Sequence, residues 1–366
     1  MKFALERNVL LKEVSIAQEI ISVKNAMSIL SNVLLEVKDG FLTIKATDLK
    51  VAFETRLPVA AEQDGVTTVY CEKLLGILRS LPDREIGFEL RDGKLFIKPV
   101  GTTIDFQLKS ISSDKFPEIK DPENAIWFEL PQAEVLEMIS QTIFSVSDDD
   151  TRYFMSGIYL ERKGDKVAMV ATDGRRLSYI EKPANGLPEF PGIIVPPKTM
   201  NLIRKLASGQ GVMSMSVSDK QLFVRFDNQK ISSNLIDGQF PNYSRVIPES
   251  QNFTIGLKRE EFSEALKRVS LLSEQKAKRV FITVGDGNLM VNTEESDLGM
   301  AKEEIPCDFS GDQTTIAVNY NFLLDPLRVL GSDRMVLEFT DSKRAMTLRP
   351  EPARDFFHIV MPMQMD

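Results

Sequence analysis

VLLEVKDGFLTIKATD, residues 33–48, returns twice in this chain, as IYLERKGDKVAMVATD at 158–173 and as FITVGDGNLMVNTEES at 281–296. Each copy alternates apolar and polar residues on both sides of a turn, the period-two pattern of an antiparallel hairpin with one face buried. The turn glycines Gly40, Gly164 and Gly287 recur at intervals of about 123 residues, one third of the chain.

Further landmarks keep the same step. A second hairpin appears as FELRDGKLFIKP at 88–99, MSVSDKQLFVRF at 215–226 and LEFTDSKRAMTLR at 337–349, with Asp92, Asp219 and Asp341 at the turns. ERNVLLKEVSIAQEI, PQAEVLEMISQTIF and KREEFSEALKRVSLL carry apolar residues at three-to-four spacing, with Leu10, Val135 and Phe262 in equivalent places. A second helix follows a short strand in TTVYCEKLLGILRSL, GIIVPPKTMNLIRKL and TTIAVNYNFLLDPLRVL. The units close alike, with Phe116 in DKFPEI, Phe240 in GQFPNY and a final FFHIVMPM. The expectation is an α+β chain of three repeated domains, 1–121, 122–248 and 249–366, each with an antiparallel sheet and two helices. Sheets that continue from one repeat to the next must curve, and a curved array ends in capped edges or closes by oligomerising.

Composition narrows the function. With 366 residues, 43% hydrophobic and 27% charged, the chain has the profile of a globular protein of two or three domains. No stretch reaches the roughly 18 apolar residues of a membrane span, and charges interrupt MKFALERNVLLKEV too early for a secretory signal, so a cytoplasmic protein is expected. Cys71 and Cys307 lack the pairing of a disulfide framework or a zinc site. The one histidine, His358, sits in an apolar run and reads as a buried structural residue rather than a catalytic one. No catalytic residue, metal site or cofactor is expected; Asp148, Asp149 and Asp150 read as a solvated loop. The net charge of -8 argues against tight coating of nucleic acid but leaves room for a local basic surface.

MKF at the start, ATDLK at 46–50, TRYFMSG at 151–157, ATDGRRLS at 171–178, DGQFPNYSRVIP at 237–248 and VMPM at 360–363 together resemble the bacterial sliding clamps, the beta subunits of DNA polymerase III, over the whole chain. The resemblance implies the DNA clamp fold, a homodimer of three-domain protomers closed head to tail into a ring around duplex DNA, and no enzymatic activity. It implies sequence-independent contact with encircled double-stranded DNA. The implied protein partners are the polymerase III alpha subunit, the clamp loader with its delta subunit, and other DNA polymerases and repair proteins that carry clamp-binding peptides.

Residue by residue, the resemblance implies DNA contact at Lys24, Lys73, Arg79, Asp149, Arg152, Tyr153, Phe154 and Lys198. Related clamps often have Gln where Asp149 stands and His where Arg175 stands. Lys267 and Arg268 add a further basic face. The implied partner-peptide pocket comprises Met155, Thr172, Gly174, Arg175, Arg176 and Leu177 in the second repeat, Pro241, Arg245 and Val246 at its end, and Ile359, Val360, Met361, Pro362 and Met363 at the C-terminus. For closure it pairs edge strands, mapping Phe106 and Leu108 against Leu271 and Leu272.

Two other readings stay open at the level of sequence. One is an enzyme, against which stands the absence of a phosphate loop, HExxH and GxSxG from the sequence; Gly285 and Gly287 in GDGN read as a hairpin turn. A repeat scaffold that binds peptides without encircling DNA would also accommodate the acidic net charge.

Overall fold

In the computed structural model, which describes residues 1–21, 29–119, 121–122, 125–184, 186–218, 220–285, 287–297 and 299–365, the recurring stretch forms a hairpin in all three copies. In the first, Asn32–Lys38 pairs with Phe41–Thr47 and buries Leu35, Val37, Leu42 and Ile44. Asp39 and Gly40 both take positive φ, 51° and 76°, the turn whose twist matches that of the strands it joins. The turn residue Asp219 of the second hairpin lies outside the described residues.

The described residues form two compact units, Met1–Gln132 with Gln210–Leu235, and Ala133–Gly209 with Ile236–Asp366. Backbone pairing explains why these units do not coincide with the sequence repeats. In the first unit, helices α1 (Arg7–Ile20) and α2 (Cys71–Ser80) pack together, and α1 covers part of a thirteen-stranded antiparallel sheet. Four strands of that sheet come from the second repeat. Gln229–Asn234 lies antiparallel to Val51–Pro58 of the first repeat, with buried Ile231 opposite buried Phe53. Asn228 Nδ2 donates to Thr55 Oγ1 at 3.0 Å across the same seam.

The second unit carries α3 (Gln132–Thr142), α4 (Pro197–Leu206), α5 (Arg259–Val269) and α6 (Tyr320–Val329). Its eight-stranded sheet joins the second and third repeats where Arg176–Pro183 pairs with Phe356–Val360, placing Ser178 opposite His358. Beside it is a four-stranded sheet with Lys302–Pro306 at one edge and Thr314–Asn319 at the other.

The seam in the second unit is locked by buried polar groups. Ser145 Oγ lies 2.7 Å from Ser178 Oγ, Ser178 Oγ 2.9 Å from His358 Nδ1, and His358 Nε2 3.1 Å from Gln141 Oε1. Gln141 Nε2 then donates to the Val329 carbonyl at 2.6 Å. That last bond fixes the direction of the chain: Gln141 Oε1 accepts, so His358 carries its proton on Nε2, and Nδ1 accepts from Ser178. Full burial, aided by the Arg176 charge, pushes the His358 pKa down to about 3, which keeps the ring neutral. Lys182, also nearly buried, pairs with Glu137 of α3 at 2.6 Å and with Asp355 of the third repeat at 2.7 Å. Burial alone would lower the Lys182 pKa, but the two carboxylates outweigh it and raise it.

At the proposed closing edges the structure departs from expectation. Phe106–Ile111 is a strand, bonded along one side to Lys94–Pro99 and reached on the other by Gly65–Tyr70 only at Ser110 and Ile111, so Phe106 to Lys109 present an open edge. Leu271 and Leu272 are not on a strand. They continue α5 as a 3-10 turn, Ser270–Leu272, closed by Ser273 N–H on the Ser270 carbonyl at 3.1 Å, because helical spacing runs on through VSLL without a breaker. An edge strand of the third repeat is Lys302–Pro306, which among the described residues pairs with Asn288–Asn292.

Because the chain has one histidine, its imidazole can be observed alone. The expected nitrogen spectrum is a neutral ring protonated on Nε2 and unchanged from pH 8 to pH 5; a titration with a midpoint near 6.5 would contradict the network. The folded pKa lies below the unfolded one, so the stability this residue contributes is complete above about pH 6.5 and is lost as pH falls towards 3.

Candidate functional site

The site is built on the turn in ATDGRRLS. Asp173 Oδ1 accepts from the backbone N–H of Arg175 at 2.8 Å and of Arg176 at 3.0 Å, while Thr172 Oγ1 donates to the Arg176 carbonyl at 2.6 Å and accepts from Gly174 N–H at 3.1 Å. Gly174 sits at φ 86°, in the left-handed region that favours glycine. Met361 N–H bonds to the Arg175 carbonyl at 2.9 Å, which brings the C-terminal segment against the turn.

These pieces enclose a cavity of about 230 Å³ within the second unit. Of the expected pocket residues, Met155, Thr172, Gly174, Arg175, Arg176 and Leu177 line it, together with Pro241, Val246, Ile359 and Met361. Asn242 and Tyr243 line it as well and were not foreseen. Arg245, Val360, Pro362 and Met363 are not part of the lining. Strand alternation accounts for Val360, which is 1% exposed and turns to the opposite face from Ile359 and Met361. Met363 donates its N–H to the Ala317 carbonyl at 2.7 Å, tying the chain end to the four-stranded sheet.

Beneath the cavity Leu177 and Ile359 belong to a buried cluster with Tyr179, Phe240 and Tyr243, against which Tyr159 and Phe357 pack. Tyr159 stacks on Phe240 with ring centres 4.6 Å apart. Tyr243 donates to Glu161, and Tyr179 donates to Glu181 at 2.6 Å. Burial and these carboxylates push both phenols well above their ordinary pKa, so they remain donors. The floor is therefore rigid and apolar, with Val246, 49% exposed, and Met361, 40% exposed, as its accessible lips.

Arg176 has a second duty. Its guanidinium pairs with Asp173 at 3.0 Å and Asp325 of α6 at 2.7 Å, donates to the Phe144 carbonyl and lies over the Phe322 ring. It positions the turn. Arg175, by contrast, is exposed at the rim.

The expected DNA contacts fall in both units. Lys73 and Arg79 are exposed on α2, opposite the buried Leu74, Leu75 and Leu78. Lys24 lies outside the described residues. In the second unit Lys198 is exposed on α4, and Tyr153, 53% exposed, meets Phe154 edge-on in the segment Asp150–Met155. Arg152 bonds Asp149 Oδ2 at 2.8 Å. Hydrogen bonds from Thr151 and then Arg152 hold the Asp149 carboxyl down to about 2, so this residue braces the loop as an anion. The further basic face on α5 is neutralised: Lys267 pairs with Glu264 at 2.7 Å, and Arg268 grips Glu303 with two bonds of 2.6 and 2.8 Å. Among the described residues no cluster of His, Cys, Asp and Glu could hold a metal ion, and no helix is long and apolar enough to cross a membrane.

Comparison with known proteins places this geometry. Models of the N-terminal, central and C-terminal domains of the DNA polymerase III beta subunit match residues 1–120, 129–242 and 244–364. The chain is 43% identical to the beta sliding clamp of Treponema pallidum and 29% identical to that of Escherichia coli K12, each over the full length of both chains. The crystal structure of the sliding clamp of Pseudomonas aeruginosa bound to griselimycin superposes with a TM-score of 0.95 at 28% identity, covering both chains completely. With three domain models in register and relatives matched from end to end, the chain belongs to the DNA polymerase III beta subunit family, the sliding clamps.

Proposed function

We propose that the chain works as a DNA sliding clamp: two copies close head to tail around duplex DNA and hold the polymerase by a peptide seated in the cavity of the second unit. It is a non-catalytic processivity factor that needs no cofactor of its own. The repeats 1–121, 122–248 and 249–366 serve as its wall segments. The observation that carries this reading is the cavity itself, an apolar floor with two accessible lips, Val246 and Met361, beside the exposed Arg175. Each anchor side chain buried there contributes roughly 1.5 to 3 kcal/mol, so two or three anchors give a contact that is specific yet exchangeable among the polymerase, the clamp loader and repair proteins. Met155 and Met361 suit such exchange, because thioether side chains repack readily.

DNA is held by enclosure rather than by affinity. A tethered polymerase returns to its template far faster than it diffuses away, and strong phosphate contacts would only retard sliding. The exposed cations on α2 and α4, Lys73, Arg79 and Lys198, with Tyr153 and Phe154, provide weak, salt-sensitive contact that carries no sequence information. The protein acts in the cytoplasm. Closure brings the open edge at Phe106 and Leu108 to the third repeat of the partner copy, where Leu271, 80% exposed, and Leu272 are covered.

Replacing both lips, Val246→Arg with Met361→Arg, introduces charge at exposed positions and leaves the core intact. The expected result is at least a tenfold loss of peptide affinity, about 1.4 kcal/mol or more, and short primer-extension products with a normal dimer. Undiminished product length would exclude the cavity as the tether. Leu271→Ala with Leu272→Ala is expected to sediment as a monomer at micromolar concentration; a variant that stays dimeric would remove these residues from the interface.

A further inference from the structure

The turn that frames the peptide cavity exists a second time, in the first repeat. Leu49 N–H bonds to Thr47 Oγ1 at 3.0 Å, as Gly174 N–H does to Thr172 Oγ1 at 3.1 Å. Asp48 Oδ1 accepts from Lys50 N–H at 2.9 Å and Val51 N–H at 2.7 Å, as Asp173 accepts from Arg175 and Arg176. The neighbouring strand closes both turns in the same way, Asn234 N–H on the Lys50 carbonyl at 2.8 Å and Met361 N–H on the Arg175 carbonyl at 2.9 Å. A Phe-Pro linker borders each, Phe116-Pro117 here and Phe240-Pro241 there. Between turn, linker and strand in the first unit lies a cleft of about 210 Å³.

Its frame is copied but its chemistry is not. Ser232 stands opposite Ala52 in register, where Ile359 stands opposite Leu177 in the peptide cavity, and Asn234 takes the place of Met361. The floor is thus smaller and polar, with Gln221 Nε2 donating to Asn234 Oδ1 at 2.9 Å. At the rim Leu49 replaces Gly174. It holds φ 73°, in the left-handed region that disfavours any residue with a Cβ, and its side chain is 60% exposed. Folding alone favours glycine at this point, as the second repeat demonstrates. The exposed apolar side chain at this rim position is stabilised when an apolar group covers it.

We infer that this cleft is a second peptide-docking site, which takes an extended segment with one apolar side chain on Leu49 and adjacent polar side chains bonded to Ser232 and Asn234. The inference rests on the reading of the first cavity as a peptide site, since the shared frame is what assigns a peptide to the cleft. Its preference differs, because the polar floor rejects the purely apolar anchors that Leu177 and Ile359 accept.

The test selects a phage-displayed random heptapeptide library on the full-length protein carrying Val246→Arg and Met361→Arg, which closes the first cavity. Recovered peptides are measured by fluorescence polarisation on that background with Leu49→Gly or Asn234→Arg added, both at exposed positions, after melting curves establish that the variants are folded. The expected outcome is enriched peptides with an apolar residue flanked by polar ones, whose affinity falls at least tenfold with either substitution. No enrichment, or binding indifferent to both substitutions, overturns the inference. A parallel selection on the unsubstituted protein, scored for peptides lost with Val246→Arg and Met361→Arg, reports on the first cavity separately, so failure of one site is read independently of the other.

Discussion

Antiparallel pairing across the repeat boundaries is the constraint on which the rest depends. Gln229–Asn234 on Val51–Pro58 and Arg176–Pro183 on Phe356–Val360 convert repeats that are separate in sequence into continuous sheets. A backbone ladder alone fixes neither register nor face, and a slip of one residue would exchange buried and exposed sides. The second unit prevents that slip with side chains of one possible arrangement: the Ser145–Ser178–His358–Gln141 chain and the Lys182 carboxylate pair. Because Met361 follows that paired strand and bonds to Arg175, the cavity is a consequence of the seam. Function and fold share one set of hydrogen bonds.

The same constraint sets where the chain can close. Continuous sheets end in edges, and among the described residues Phe106 to Lys109 in the first unit and Lys302–Pro306 in the second are two stretches that present open backbone. Apolar groups near such edges are hazardous unless covered, which gives Leu271, in the turn that continues α5, the helix packed against Lys302–Pro306, a reason to be so exposed in a single chain. Arg268, locked onto Glu303 of the edge strand, is spent on organising that region rather than on DNA. The acidic net charge then fits a protein that retains DNA by enclosure and limits its cationic contacts to a few exposed side chains.

Periodicity made most of the fold legible in the sequence. Alternation across Gly40, Gly164 and Gly287 and the spacing around Leu10, Val135 and Phe262 depend only on local geometry, and each marks an element found in the structure. Much of the cavity was named through resemblance, because ATDGRRL and FPNY are contiguous and carry the turn and the linker. What stayed hidden is what depends on distant partners. Nothing near Arg176 announces that Asp325 will hold it, and nothing near Gln141 announces the Val329 carbonyl. Tyr243 lies within FPNY, but only the fold shows that it lines the cavity; the resemblance names the C-terminal run whole, whereas a strand turns Val360 away from Ile359 and Met361, and Met363 is tied to the Ala317 carbonyl. Leu271 and Leu272 close the helical pattern KREEFSEALKRVSLL, and the strand at that place comes from the resemblance alone; local spacing, which continues the helix, is what the structure follows.

Enclosure is the claim that separates this account from a scaffold that merely binds peptides. Its most direct test loads the protein with a cognate clamp loader onto nicked circular DNA, removes free protein, and then linearises the circle. Protein is expected to stay bound to the circle at salt concentrations that abolish phosphate contacts and to be released once the DNA has ends. Retention on the linear form would contradict enclosure.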